Sequence, residues 1–178
     1  MILIACGANL PSQYGTPAET IQAAYVALED QNIRILQKSR IWLTAPVPFD
    51  PNQDWYHNSV ISVETDLPAH ELLQQMLNIE NEFGRVRSVK NAPRLLDLDL
   101  IAYNNDIIID DERLIIPHPR MHERLFVLKP LEDIDKNWTH PKTGHDVSMM
   151  LNACPSDQQA NPIAVSYTHL TLPTTPYV

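Results

Sequence analysis

The 178-residue sequence has little of three things that would each announce a chemistry: 4 glycines, 2 cysteines, and 13 basic side chains against 22 acidic ones. Gly7, Gly15, Gly84 and Gly144 are too scattered to form a G-x-x-x-x-G-K-[ST] loop or a G-x-G-x-x-G turn, so any phosphate chemistry must proceed without a glycine cradle. Cys6 and Cys154 show no metal or redox spacing and are expected to be buried small hydrophobes or inert thiols. The formal charge of -9 argues against broad binding to nucleic acids or membrane surfaces, which depends on net positive fields. No stretch reaches the roughly 18 apolar residues of a membrane span. The apolar start, MILIACGANL, lacks the basic region of a signal peptide. A soluble, cytoplasmic, monomeric protein of one compact domain is the expectation, since 44% hydrophobic residues in a chain this long can bury a core unaided.

What is present has an order. Residues 2–6, ILIAC, form a short β-branched apolar run that predicts a buried strand. Thr16-Pro17-Ala18-Glu19 has a capping-box pattern, and Ile21, Ala24, Tyr25 and Leu28 follow at helical spacing, predicting a helix over about 17–30. Ile33 to Leu43 predicts a strand ended by Ala45-Pro46-Val47-Pro48, and His57 to Thr65 another. A second helix begins near Pro68, buries Leu72, Met76, Ile79 and Phe83, and stops at Gly84. Leu96 to Tyr103 supplies a further strand, completing βαββαβ. That order predicts an α+β, ferredoxin-like antiparallel sheet with helices on one face. Ile107 to Ile109 and Leu114 to Ile116 add a small hairpin, and Met121 to Leu128 a short helix stopped by Pro130.

The most informative string is Leu96-Asp97-Leu98-Asp99-Leu100. Strand side chains alternate, so Asp97 and Asp99 share one face, about 6 to 7 Å apart, while the leucines point into the core. Two carboxylates on a strand suit a hard cation such as Mg²⁺, which takes few protein oxygens and completes its shell with water and phosphate. Taken alone, the pair is equally consistent with a solvated surface. The preceding segment, Gly84 to Arg94, carries Arg85, Arg87, Lys90 and Arg94 and no acid, in a protein of charge -9. Arg113, Arg120 and Arg124 bring the basic residues of this region to seven of 13. Guanidinium forks neutralise phosphate oxygens, and a loop of this kind suits closure of a phosphoryl-transfer site. His118 and His122 at i, i+4 raise zinc as an alternative, but Pro119 breaks a shared helix face. A histidine beside arginines can instead hydrogen-bond a phosphate or a leaving-group oxygen.

These residues closely resemble the 6-hydroxymethyl-7,8-dihydropterin pyrophosphokinase family. Lys90 to Ile101 meets its signature of basic residue, any residue, Gly or Ala, small residue, Arg, two residues, Asp-aliphatic-Asp-aliphatic-aliphatic. Gly7-Ala8-Asn9-Leu10, Gly84-Arg85-Val86-Arg87 and Pro117-His118-Pro119-Arg120-Met121 are similar to family segments in the same order. The resemblance covers about residues 1–155. It implies transfer of diphosphate from ATP to the hydroxymethyl group of a dihydropterin, a step of folate biosynthesis, with ATP and the pterin as small-molecule partners. It implies that Asp97 and Asp99 hold two Mg²⁺ ions, that Arg85 and Arg94 act on the phosphates with His118, and that Arg87 and Lys90 are loop cations. Glu80, Leu100, Arg113, Leu114, His118 and Arg124 match nucleotide-side positions. Thr44, Ala45, Pro46 and Val47 match a backbone segment that recognises the pterin edge, Asn58 an amide doing the same, and Tyr56 and Phe126 two aromatics that sandwich the ring. Asn91 departs from a tryptophan often found in the family, and Pro119 from a tyrosine of some members.

The competing readings are another Mg-dependent nucleotidyl or phosphoryl transferase, and a binding module on the same sheet, since fold alone does not give function. The acidic charge and the lack of an aromatic-basic strand argue against RNA. At the other end, the polar stretch PSDQQANP is expected to close the domain, set at residues 1–160. Residues 165–178 contain no Asp, Glu, Lys or Arg, and VSYTHLTLPTT resembles a translated reading frame of a sequencing adapter. This implies a non-native tail without function.

Overall fold

The computed structural model describes residues 1–84, 95–110 and 113–163. A sheet of antiparallel pairs runs through them: β1 (Ile2–Ala8), β2 (Arg34–Lys38), β3 (Trp42–Thr44), β4 (Tyr56–Glu64), β5 (Asp97–Tyr103) and, after a separate hairpin of β6 (Ile108–Asp110) with β7 (Leu114–Ile116), β8 (Ala160–Pro162). The order across the sheet is β5-β1-β4-β3-β8, with β2 pairing β4 alongside β3. The strand expected over Ile33 to Leu43 is therefore two short strands. Both lie on β4, β2 against its Ile61–Glu64 end and β3 against Tyr56–Asn58, because the chain breaks at Ser39-Arg40. Ser39 fills the break by accepting Val60 N–H at its hydroxyl, 2.9 Å away.

Helix α1 (Pro17–Asp30) starts as its sequence predicts. The Thr16 hydroxyl accepts Glu19 N–H at 3.2 Å and the Glu19 carboxylate accepts Thr16 N–H at 3.0 Å, two orphan donors satisfied together. Helix α2 (Ala69–Glu82) ends at Phe83, and Gly84 follows at φ +96°, a conformation an L side chain rarely adopts. Both helices cover one face of the sheet, where Ile4, Ile21, Leu28, Ile61, Leu72, Met76, Ile79 and Leu98 form one core.

The expectation of helices on one face holds for α1 and α2 only. A 3-10 turn at Met121–Glu123 leads into α3 (Leu125–Ile134), and α4 (Val147–Ala153) joins it on the opposite face, over Leu3, Val60, Ile101 and Ala102. Alternation along β1 explains how both faces are apolar, with Ile2, Ile4 and Cys6 in the first core and Leu3 in the second. Pro130 does not stop α3. Its missing N–H removes one helical bond, but Val127, Leu128, Pro130, Leu131 and Ile134 are buried together and the packing carries the helix through. The stretch PSDQQANP includes β8, which extends the sheet beside β3 through Pro162. Residues 165–178 lie outside the described residues.

Candidate functional site

Across the sheet, Asp97, Gly7, Asn58 and Trp42 stand in one register row, and Asp99, Ala5 and Val60 in the next. Along the α3 face, large apolar side chains therefore give way to small and polar ones toward one end. Where Ala5 and Gly7 offer no bulk, the face opens into a cavity of about 400 Å³. The volume suits a small-molecule ligand.

One wall is neutral. Thr44, Ala45, Pro46 and Val47 come from the end of β3 and the turn after it, Tyr56 and Asn58 from β4, and Phe126 from the first turn of α3. Thr44 and Asn58 are buried and bound to each other, the Asn58 amide donating to the Thr44 hydroxyl at 2.7 Å. That bond turns the Asn58 carbonyl oxygen toward Gly7, where an added Cβ would meet it at 2.7 Å. Gly7 is thus required by close approach. Its neighbour Cys6 lines the cavity floor, and burial pushes its thiol up to about 12, so it stays protonated. Both cysteines are free, Cys154 being half-buried with its thiol raised chiefly by burial.

The facing wall is charged. Asp97 and Asp99 line the cavity from β5, both half-buried, while Leu98 and Leu100 point to the core. Glu80, only 3% exposed on α2, accepts Leu98 N–H at 2.7 Å. β5 is the sheet's edge, and this carboxylate satisfies an outward donor midway between the two aspartates, fixing their strand. His118 and Arg124 complete the wall. Burial, reinforced by the Arg124 and Arg120 charges, pulls His118 down to about 4, leaving it neutral near pH 7. Its Nδ1 accepts Arg120 N–H at 3.2 Å, so the ring proton belongs on Nε2, a donor. Arg124 lies over the Phe126 ring, 5.4 Å from its centroid; burial pulls its guanidinium below the ordinary arginine value, and the Asp99 charge partly offsets that.

All seven residues assigned to the pterin, five at its edge and two at its faces, thus meet in one cavity with Asp97, Asp99, His118 and Arg124. Leu100 and Leu114 do not line it. They are core residues of the α1/α2 face, each 4% exposed. Arg113 is exposed beside the β6–β7 turn and Glu80 supports the site from behind. Arg85, Arg87, Lys90 and Arg94 lie outside the described residues. Gly7 was visible only as part of the Gly7-Ala8-Asn9-Leu10 segment, and nothing local in the sequence tells that its missing side chain makes room for Asn58. Among the described residues no group of three or more His, Cys, Asp or Glu could hold a metal. A pair of carboxylates facing a cavity fits Mg²⁺, which needs few protein oxygens, better than a closed four-ligand site.

Residues 3–136 match the family model of 7,8-dihydro-6-hydroxymethylpterin-pyrophosphokinase. The chain belongs to this family. It is 41% identical over 133 residues to the 2-amino-4-hydroxy-6-hydroxymethyldihydropteridine pyrophosphokinase of Bacillus subtilis, covering 74% of this chain and 75% of that one. It is 38% identical over 147 residues to the folic acid synthesis protein fol1 of Pneumocystis carinii, covering 83% of this chain but only 19% of that longer protein. This pyrophosphokinase-family chain thus spans about a fifth of that relative. The fold is similar to that of a Plasmodium falciparum HPPK-DHPS crystal structure, at TM-score 0.65 and 13% identity, over 85% of this chain and 44% of that one. No helix among the described residues is long and apolar enough to cross a membrane.

Proposed function

We propose that the protein, as a cytoplasmic monomer, transfers diphosphate from ATP to 6-hydroxymethyl-7,8-dihydropterin, releasing AMP, in folate biosynthesis. The sheet is taken as ferredoxin-like, β2 and β3 together standing as one strand, with residues 1–160 as the pyrophosphokinase domain. The observation that carries the reading is the single cavity with a neutral, pre-paired wall facing two strand aspartates, a neutral histidine and an arginine.

A flat heterocycle with a donor and acceptor edge fits between Tyr56 and Phe126, its edge against Asn58 and the backbone of Thr44 to Val47. This directs its hydroxymethyl oxygen toward the β5 wall. There that oxygen bonds to the β-phosphorus of ATP, the bond from that phosphorus to the α,β-bridging oxygen breaks, AMP leaves with the bridging electrons, and the alcohol proton is released. Catalysis is then mainly positioning and charge neutralisation. Asp97 and Asp99 would hold two Mg²⁺ ions, which supply neutralisation of the phosphate oxygens. Arg85 and Arg94 act on the phosphates, Arg87 and Lys90 add positive charge for them, and Arg124 holds charge beside Asp99. His118 Nε2–H donates toward the leaving oxygen. Glu80, Leu100, Arg113 and Leu114 serve the nucleotide side, Glu80 by fixing β5.

The test is a reaction of protein, ATP and the hydroxymethyl dihydropterin with and without Mg²⁺, followed by phosphorus NMR. AMP and a pterin diphosphate are expected with Mg²⁺; ADP, or no turnover with the metal present, overturns the reading.

A further inference from the structure

α3 opens without a cap of its own. Its N-cap residue, Arg124, makes no side-chain bond to the helix, although the first turn has N–H groups to satisfy. The bond comes from Gln158, thirty-three residues later, whose side-chain oxygen accepts Leu125 N–H at 3.0 Å. The amide nitrogen of the same side chain donates to Glu123 O at 2.8 Å. A carboxamide carries its acceptor and its donor on separate atoms of one neutral group, and each atom here meets a backbone group of the opposite kind. These two groups flank Arg124, and Phe126 follows one residue on, so Gln158 grips the backbone that presents both to the cavity. The next residue reaches the other wall: Gln159 O accepts Ala45 N–H at 3.1 Å, and β8 then pairs with Trp42–Thr44. Two consecutive residues therefore join the α3 wall to the Thr44–Val47 wall.

The geometry points to Gln158 as a positioning residue for the substrate cavity, setting the distance between Phe126 and the segment Thr44 to Val47. It lies beyond the residues that match the family model. The inference rests on the pterin reading of that cavity. Gln158 touches no reacting atom; it acts through the backbone of Glu123 and Leu125 on Arg124 and Phe126.

The experiment compares wild type, Gln158→Ala and Gln158→Glu by fluorescence titration with 6-hydroxymethylpterin, steady-state kinetics, circular dichroism and thermal unfolding. Gln158→Ala should weaken pterin binding and raise the pterin KM by about fivefold to tenfold, with an unchanged far-ultraviolet spectrum. Gln158→Glu keeps the acceptor for Leu125 N–H but sets a carboxylate oxygen against Glu123 O, so its pterin KM should rise at least as far as that of Gln158→Ala. A lower Tm in both variants, with pterin affinity and KM equal to wild type below the transition, would reduce Gln158 to a structural tie and overturn the inference alone. A wild-type protein that binds no pterin overturns this inference together with the reading beneath it.

Discussion

At the β3–β4 end of the cavity, Thr44 and Asn58 are 2% and 8% exposed and already bound to each other, whereas at the β5 end Asp97, Asp99 and His118 are half-buried beside charged neighbours. Under the proposed reading, the contrast matches what each end would recognise. A neutral heterocycle offers only directional hydrogen bonds and faces. Its partners must be fixed beforehand, because a buried polar group left unpaired costs about 1 to 3 kcal/mol and so rejects a wrong ligand. Phosphate oxygens carry charge that acts at longer range, so cations need less exact placement but greater number. The neutral end is accordingly assembled from elements far apart in sequence, and the charged end from β5 and the segments following it.

If the two ends work separately, damage to one should spare the other. The largest effect is expected at β5. Asp97→Ala and Asp99→Ala should each lower turnover by about a thousandfold or more, since under the proposed reading each removes a carboxylate that would hold the Mg²⁺ neutralising the phosphates. Both should leave circular dichroism and 6-hydroxymethylpterin affinity close to wild type. A comparable loss of pterin affinity would mean that the walls are one coupled unit. Next come Asn58→Ala and Gly7→Ala, expected to weaken pterin binding by about tenfold to a hundredfold, the first by removing the amide and the second by driving a Cβ against its oxygen. The KM for ATP should stay within about twofold. Gly7→Ala with normal pterin affinity would show that Asn58 can shift without cost.

The pH dependence gives a smaller signal. The His118 ring takes a proton only near pH 4 when folded, against an ordinary value of 6.5. Between those values the unfolded chain binds the proton and the folded chain does not, so stability declines as pH falls through that window. Thermal unfolding from pH 7 to 4 should show a steeper decline in wild type than in His118→Gln. Parallel curves would place the acid sensitivity elsewhere.

The two ends also differ in how far they could be read from sequence. Asp97 and Asp99 are legible locally, because alternation along one strand puts both on one face. The neutral end needs register: Thr44 and Asn58 are fourteen residues apart and meet only because Trp42 pairs with Asn58 across β3 and β4. Family resemblance named those residues, while the role of Gly7 required the sheet to be closed around it. The same cause explains the misplaced elements. Proline rules describe a helix in isolation, and buried packing overrides them at Pro130 in α3. β8 lacks an apolar pattern because it is an exposed edge held by backbone pairing to β3.

The smallest expected effect lies on the face of the sheet away from the cavity. Thr16→Ala breaks the capping box of α1 and should cost about 1 kcal/mol, lowering Tm by about 2 to 4 °C for a chain of this size. α1 packs against the α1/α2 core, and no residue of it lines the cavity. Destabilisation of that size still leaves nearly every molecule folded at 25 °C, so kcat and both KM values should match wild type. A change in pterin KM in Thr16→Ala would mean that strain passes through the sheet from one face to the other. The losses in Asn58→Ala and Gly7→Ala would then have to be reassigned from local contacts to the stability of the sheet itself.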